Sequence, residues 1–185
     1  MRQPGWMAGA ALLAGLAMLS PAALAVGDEA ATGEAACSAI ARAVHEIGAA
    51  PQFHSRMVAQ TPGRRRPVEE ERFVIGDVVY ANSPGAGRWV KLPLTKADRS
   101  ALEAVFLAHP LQNCREEGRQ NLDGTAVRLF GYQQTLPKEA GESIALGRIW
   151  IAEADGRPRR YEGRHGEVSV LMQFDYENIA PPFRQ

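Results

Sequence analysis

Apolar residues first recur at helical spacing. Ala36, Ile40, Val44 and Ile47 follow at intervals of four, four and three, which predicts a helix over Glu34–Gly48 with Thr32 as a candidate N-cap. From Gln52 the period drops to two. Phe53–Ala59, Val68–Ile75, Val78–Ala81 and Arg88–Leu92 read as strands. They are separated by Pro62–Pro67, by a Gly-first hairpin turn at Gly76-Asp77, and by Pro84–Gly87. The helical period then returns. Thr95 with Asp98 three residues later resembles a capping box, and Leu102, Val105, Phe106 and His109 share one face before Pro110. Beyond a polar stretch holding Cys114, extended segments resume at Thr125–Thr135, Ser143–Ala152, Arg159–Gly163 and Glu167–Tyr176, with Pro137–Glu142 as a loop and Asp155-Gly156 as a turn.

Strands at roughly ten-residue spacing joined by tight turns predict a meander rather than parallel units. The fold class is therefore α+β: a curved antiparallel sheet of seven to nine strands, a half-open barrel, with two helices against its concave face. Several strands are apolar on both sides; Val127 and Leu129 alternate with Phe130 and Tyr132. Such strands fit a sheet packed on one face by helices.

Length and targeting fix the domain plan. The chain has 185 residues. Residues 1–25 have the parts of a cleaved secretory signal: Arg2, the apolar run Met7–Leu19, and Ala23-Leu24-Ala25 after Pro21. The run is too short to span a bilayer, and no later stretch approaches that length, so no transmembrane segment is expected after cleavage. Residues 26–33 read as a leader, 34–180 as one domain and 181–185 as a tail. The expected location is the periplasm, as an exported soluble protein. Two cysteines, Cys37 and Cys114, in an oxidising compartment predict a disulfide that would tie the first helix to the end of the second.

Charge narrows the partners. With the signal removed, 20 basic side chains face 21 acidic ones, which argues against nucleic acid. The chemistry-bearing motifs are also missing: there is no GxSxG, no phosphate-binding loop and no HExxH. No catalytic residue, metal or cofactor is expected, and the chain does not read as an enzyme. Glu69, Glu70 and Glu71 read as a solvated edge. Arg64–Arg66 and Arg157–Arg164 form basic turns in a chain with 18 Arg and 3 Lys. Arg157, Arg159 and Arg160 are candidates for an anionic headgroup, since guanidinium suits phosphate.

Three elements occur together: a hairpin ending in Val79-Tyr80, the run Gly87-Arg88-Trp89-Val90-Lys91-Leu92-Pro93, and Ile149-Trp150-Ile151 leading into Asp155-Gly156-Arg157-Pro158. In these the chain resembles the periplasmic carriers of the LolA/LolB-like superfamily. The resemblance implies a half-open barrel whose helices cap a hydrophobic cavity, and non-catalytic binding or transport of lipid or acyl chains. Phe73, Trp89, Phe106, Phe130, Trp150, Met172 and Phe174 are the candidate ligand-binding residues at inward-capable positions. A filled core uses the same residue types as a cavity. The alternative is thus an envelope interaction module with a protein partner.

Overall fold

The computed structural model describes residues 30–82, 88–138 and 141–183. The signal, residues 26–29 of the leader and the Pro84–Gly87 turn lie outside them. Helix α1 (Gly33–Ala49) is followed by strands β1 (Gln52–Gln60), β2 (Val68–Ile75), β3 (Val78–Asn82) and β4 (Trp89–Pro93). Helix α2 (Lys96–Leu107) then leads to β5 (Leu111–Leu122), β6 (Thr125–Lys138), β7 (Gly141–Ala152), β8 (Pro158–His165) and β9 (Val168–Asp175). The nine strands form one antiparallel sheet in the order β4-β3-β2-β1-β9-β8-β7-β6-β5. Two meanders are thus joined side by side where β1 meets β9, and α2 carries the chain from one sheet edge to the other. The expected class, a curved antiparallel sheet with two helices, is the one observed.

Local chemistry explains the elements. The α1 stripe of Ala36, Ile40, Ala43, Val44 and Ile47 is buried against the sheet. Helix α2 opens with the full capping box: the Thr95 hydroxyl accepts from the Asp98 backbone N–H, and the Asp98 carboxylate accepts from Thr95. The Thr95 hydroxyl first, and the Thr95 backbone N–H after it, donate to the Asp98 carboxylate and hold it below its usual range. Gly76 adopts φ +56° between β2 and β3, the left-handed conformation a Gly-first hairpin turn requires.

Four expectations are corrected. The polar stretch Leu111–Leu122 is strand β5, not a loop. It has few apolar residues because it is a sheet edge, and two register shifts against β6 break its alternation. Cys37 and Cys114 are bonded, so the disulfide ties α1 to this edge strand, past the end of α2. The expected Pro137–Glu142 loop is shorter, because β6 and β7 pair as far as Lys138 and Gly141. Finally, Glu69–Glu71 lie on β2, an interior strand, and not at an edge.

Alternation sorts the strands' side chains into an inner face, toward the helices, and an outer face. Under α1 the inner face is filled. Ile40, Val44, Phe130, Ile149 and Ile151 form one apolar cluster with Tyr132. Tyr132 lies over Gly147, its cross-strand partner, where a Cβ would come within 2.3 Å of the ring. Tyr132 and Tyr161 hydrogen-bond each other, and burial pushes both phenols above their ordinary range.

Candidate functional site

The space under α2 is not filled. A cavity of about 460 Å³ lies between that helix and the inner face of β1, β2, β3, β4 and β9. Strand pairing arranges its floor in rows. In the row nearest the end of α1, Phe53 faces Val74 and Val74 faces Val79, which in turn faces Leu92. The next row places Phe174, Ser55, Arg72 and Ala81 side by side. The third holds Met172, Met57 and Glu70. Leu102, Val105 and Phe106 of α2 form the roof.

The cavity is closed at one end and open along its rim. Phe53 and Val74 are 2% and 1% exposed, whereas Leu92 is 48% and Val105 75% exposed. Exposure also rises along β1 and β2 away from α1. The walls are mostly apolar. The charged residues lining it are Glu70 and Arg72, ion-paired with each other, and Asp98 at the α2 cap. Ser55 is buried on the cavity floor.

Polar contacts at its two ends hold α2 over this space, since none of its residues is fully buried. The Arg99 guanidinium donates to the carbonyls of Gly48, Ala50 and Gly76. At the other end, the Gln134 amide donates to Phe106 and His109 carbonyls at 2.9 and 2.8 Å. His45 of α1 meets Glu103 of α2 at 3.1 Å.

Three of the seven candidate ligand-binding residues, Phe106, Met172 and Phe174, come together in this cavity. Phe130 is inside the filled cluster under α1. Phe73, Trp89 and Trp150 are on the outer face. Phe73 stacks on His54 and meets Trp89 edge-on, with ring centroids 4.3 and 5.4 Å away. Trp150 packs with Val127 and Leu129 and donates its indole N–H to Gln120 at 2.9 Å. The reason is parity: Val74 and Ile149 take the inner positions, so their chain neighbours Phe73 and Trp150 must face outward. Of the cavity-lining residues, Phe53, Ser55, Met57, Glu70 and Arg72 were not among those candidates. The signal for the first three was present in the Phe53-x-Ser55-x-Met57 alternation.

The headgroup candidates do not border the cavity. Arg157 and Arg159 lie against the Tyr176 ring, with centroid distances of 5.2 and 4.9 Å, and Arg159 pairs with Asp155. Arg160 lies over Trp150 and pairs with Glu162. His54, on the outer face, bonds Glu71 at 2.8 Å.

A wider groove of about 650 Å³ crosses the outer face, but the Arg115–Glu117–Arg148 ion pairs run through its wall. An acyl chain gains little against such a surface. Among the described residues, no group of three or more His, Cys, Asp or Glu is placed to hold a metal ion. No helix among them is long and apolar enough to cross a membrane.

Comparison with known proteins follows the geometry. No protein-family model matches the chain, and no curated protein matches it in sequence. Solved structures do match. The crystal structure of LprF from Mycobacterium bovis has 14% identity and a TM-score of 0.50, covering 83% of this chain and 96% of that one. The lipoprotein LppX of Mycobacterium tuberculosis has 13% identity and a TM-score of 0.50, covering 79% of this chain and 97% of that one. The chain therefore shares its fold with these two proteins.

Proposed function

We propose that the protein is an exported, non-catalytic binding or carrier protein for a lipid-like ligand, held in the cavity under α2. The cavity itself carries this reading: apolar walls enclose about 460 Å³ beneath a helix that buries none of its own residues fully. At roughly 30 Å³ per water- or methylene-sized group, that is room for about fifteen groups. Each buried methylene contributes about 0.8 kcal/mol, offset in part by the immobilisation of the chain. Phe106, Met172 and Phe174 supply the ligand-facing surface, and Met suits a site that adapts to its occupant. The fold shared with the lipoprotein LppX of Mycobacterium tuberculosis is consistent with this role.

Two measurements test the reading. Native mass spectrometry of protein taken gently from a periplasmic extract should show a stoichiometric lipid. The purified protein should also take up the neutral apolar probe N-phenyl-1-naphthylamine, and Met57→Trp, which fills the cavity floor, should abolish uptake while leaving the fold intact by circular dichroism. An empty protein that ignores the probe would favour the interaction-module reading instead.

A further inference from the structure

Strand β2 places acidic residues on both faces, and the two faces treat them differently. On the outer face Glu69 meets Arg56 at 3.0 Å and Glu71 meets His54 at 2.8 Å. On the inner face Glu70 and Arg72 pair with each other inside the ligand cavity. The Glu70 side chain is only 17% exposed. Arg72 keeps 41% of its side chain in solvent, so the cost falls on the Glu70 carboxylate, which gives up water that an apolar residue in its place would not need. The neighbours are suited to a polar group here. Ser55 and Ala81, both small, flank Arg72 across the sheet, and Ser55 brings a hydroxyl to the cavity lining.

We propose that Glu70 is a specificity determinant, which occupies Arg72 so that the cavity rejects free fatty acids and accepts acyl chains with an uncharged head. This rests on the carrier reading and names the ligand class of the same site. A free carboxylate entering the cavity meets one guanidinium already neutralised and two carboxylates, Glu70 and Asp98. It must displace Glu70 to gain a partner, and the displaced carboxylate is then left nearly buried beside it. An ester or glyceryl head faces no such cost. Its carbonyl can accept from those of the five guanidinium N–H groups that Glu70 leaves free, and the Ser55 hydroxyl can donate to or accept from it.

The test is displacement of N-phenyl-1-naphthylamine by palmitate and by monopalmitoylglycerol at mildly alkaline pH, both below their micellar range. The wild-type protein should prefer the glyceryl ester by about tenfold or more, the range expected when a charged group loses its hydrogen-bond partner. Glu70→Gln leaves Arg72 unopposed and should tighten palmitate on the order of tenfold, with little change for the ester. Glu69→Gln makes the same charge change one residue away on the outer face and should alter neither. Equal wild-type affinity for the two ligands, or a palmitate affinity that Glu70→Gln does not move, overturns the proposal while the carrier reading stands. If neither ligand nor probe binds the wild-type protein, the carrier reading itself fails, and this proposal with it.

Discussion

The Arg99 guanidinium donates to the Ala50 carbonyl at 2.9 Å, joining the first turn of α2 to the residue that caps α1. The same side chain reaches Gly48 and Gly76, so one arginine donates to the free carbonyls of a helix end and a hairpin turn. Because α2 contributes no fully buried side chain, this contact carries an unusual share of its attachment. Arg99→Ala should cost about 1–3 kcal/mol. Hydrogen exchange should rise across Lys96–Leu107 while α1 stays protected. Uniform exchange across both helices would show that α2 is held by its apolar face instead.

The Cys37–Cys114 bond closes a loop of 77 residues that contains β1 through α2. Replacing both cysteines with serine should lower stability by up to about 4 kcal/mol, the limit of the chain-entropy model. Denaturant unfolding of the double variant against the oxidised parent measures this. Equal midpoints would mean the bond constrains nothing that packing does not already hold.

Gly147 is a packing test. A Cβ there would stand 2.3 Å from the buried Tyr132 ring, which cannot swing into solvent. Gly147→Ala should therefore destabilise the protein by about 1–3 kcal/mol through overpacking. Combining it with Tyr132→Leu should recover part of that loss. A neutral Gly147→Ala would show that the ring has room to move.

Acid should loosen the β5 edge. Arg128 pairs with Glu116 through two guanidinium nitrogens at 2.8 and 2.6 Å, and the Ala31 N–H adds a third bond at 3.2 Å. Arg128 first, and Ala31 after it, hold this carboxyl below the usual glutamate range against the opposing effect of burial. The native value is thus lower than the unfolded value of about 4.3. Its contribution is complete above that unfolded value and is lost as pH falls through the lowered native one. Melting temperatures should drop below about pH 4.5, and Glu116→Gln should make that drop shallower. An unchanged slope would place the acid sensitivity elsewhere.

Much of the architecture was legible because its causes are local. The α1 stripe, the Thr95–Asp98 box and the Gly76-Asp77 turn each depend on residues within a few positions of one another. Strand β5 was not legible. An edge strand needs no apolar alternation, and its partners on β6 lie beyond the next turn. Phe73 and Trp150 were misassigned for a related reason. On strands apolar on both faces, the pattern shows two alternating sets of positions but not which set meets the helices.

The order of residues alone determined that this chain builds an antiparallel meander with two amphipathic helices and a pair of cysteines, since backbone geometry and side-chain period act over short distances. Only the tertiary structure decided that the space under α1 is filled and the space under α2 is open. That difference depends on where two helices of different burial settle on one curved sheet. It also decided that Glu70 and Arg72, two charges in an acidic run, face the cavity while Glu69 and Glu71 face outward. The parity of β2 is set by Val74 packing beneath Ile47 and Leu94, contacts that lie far away in sequence.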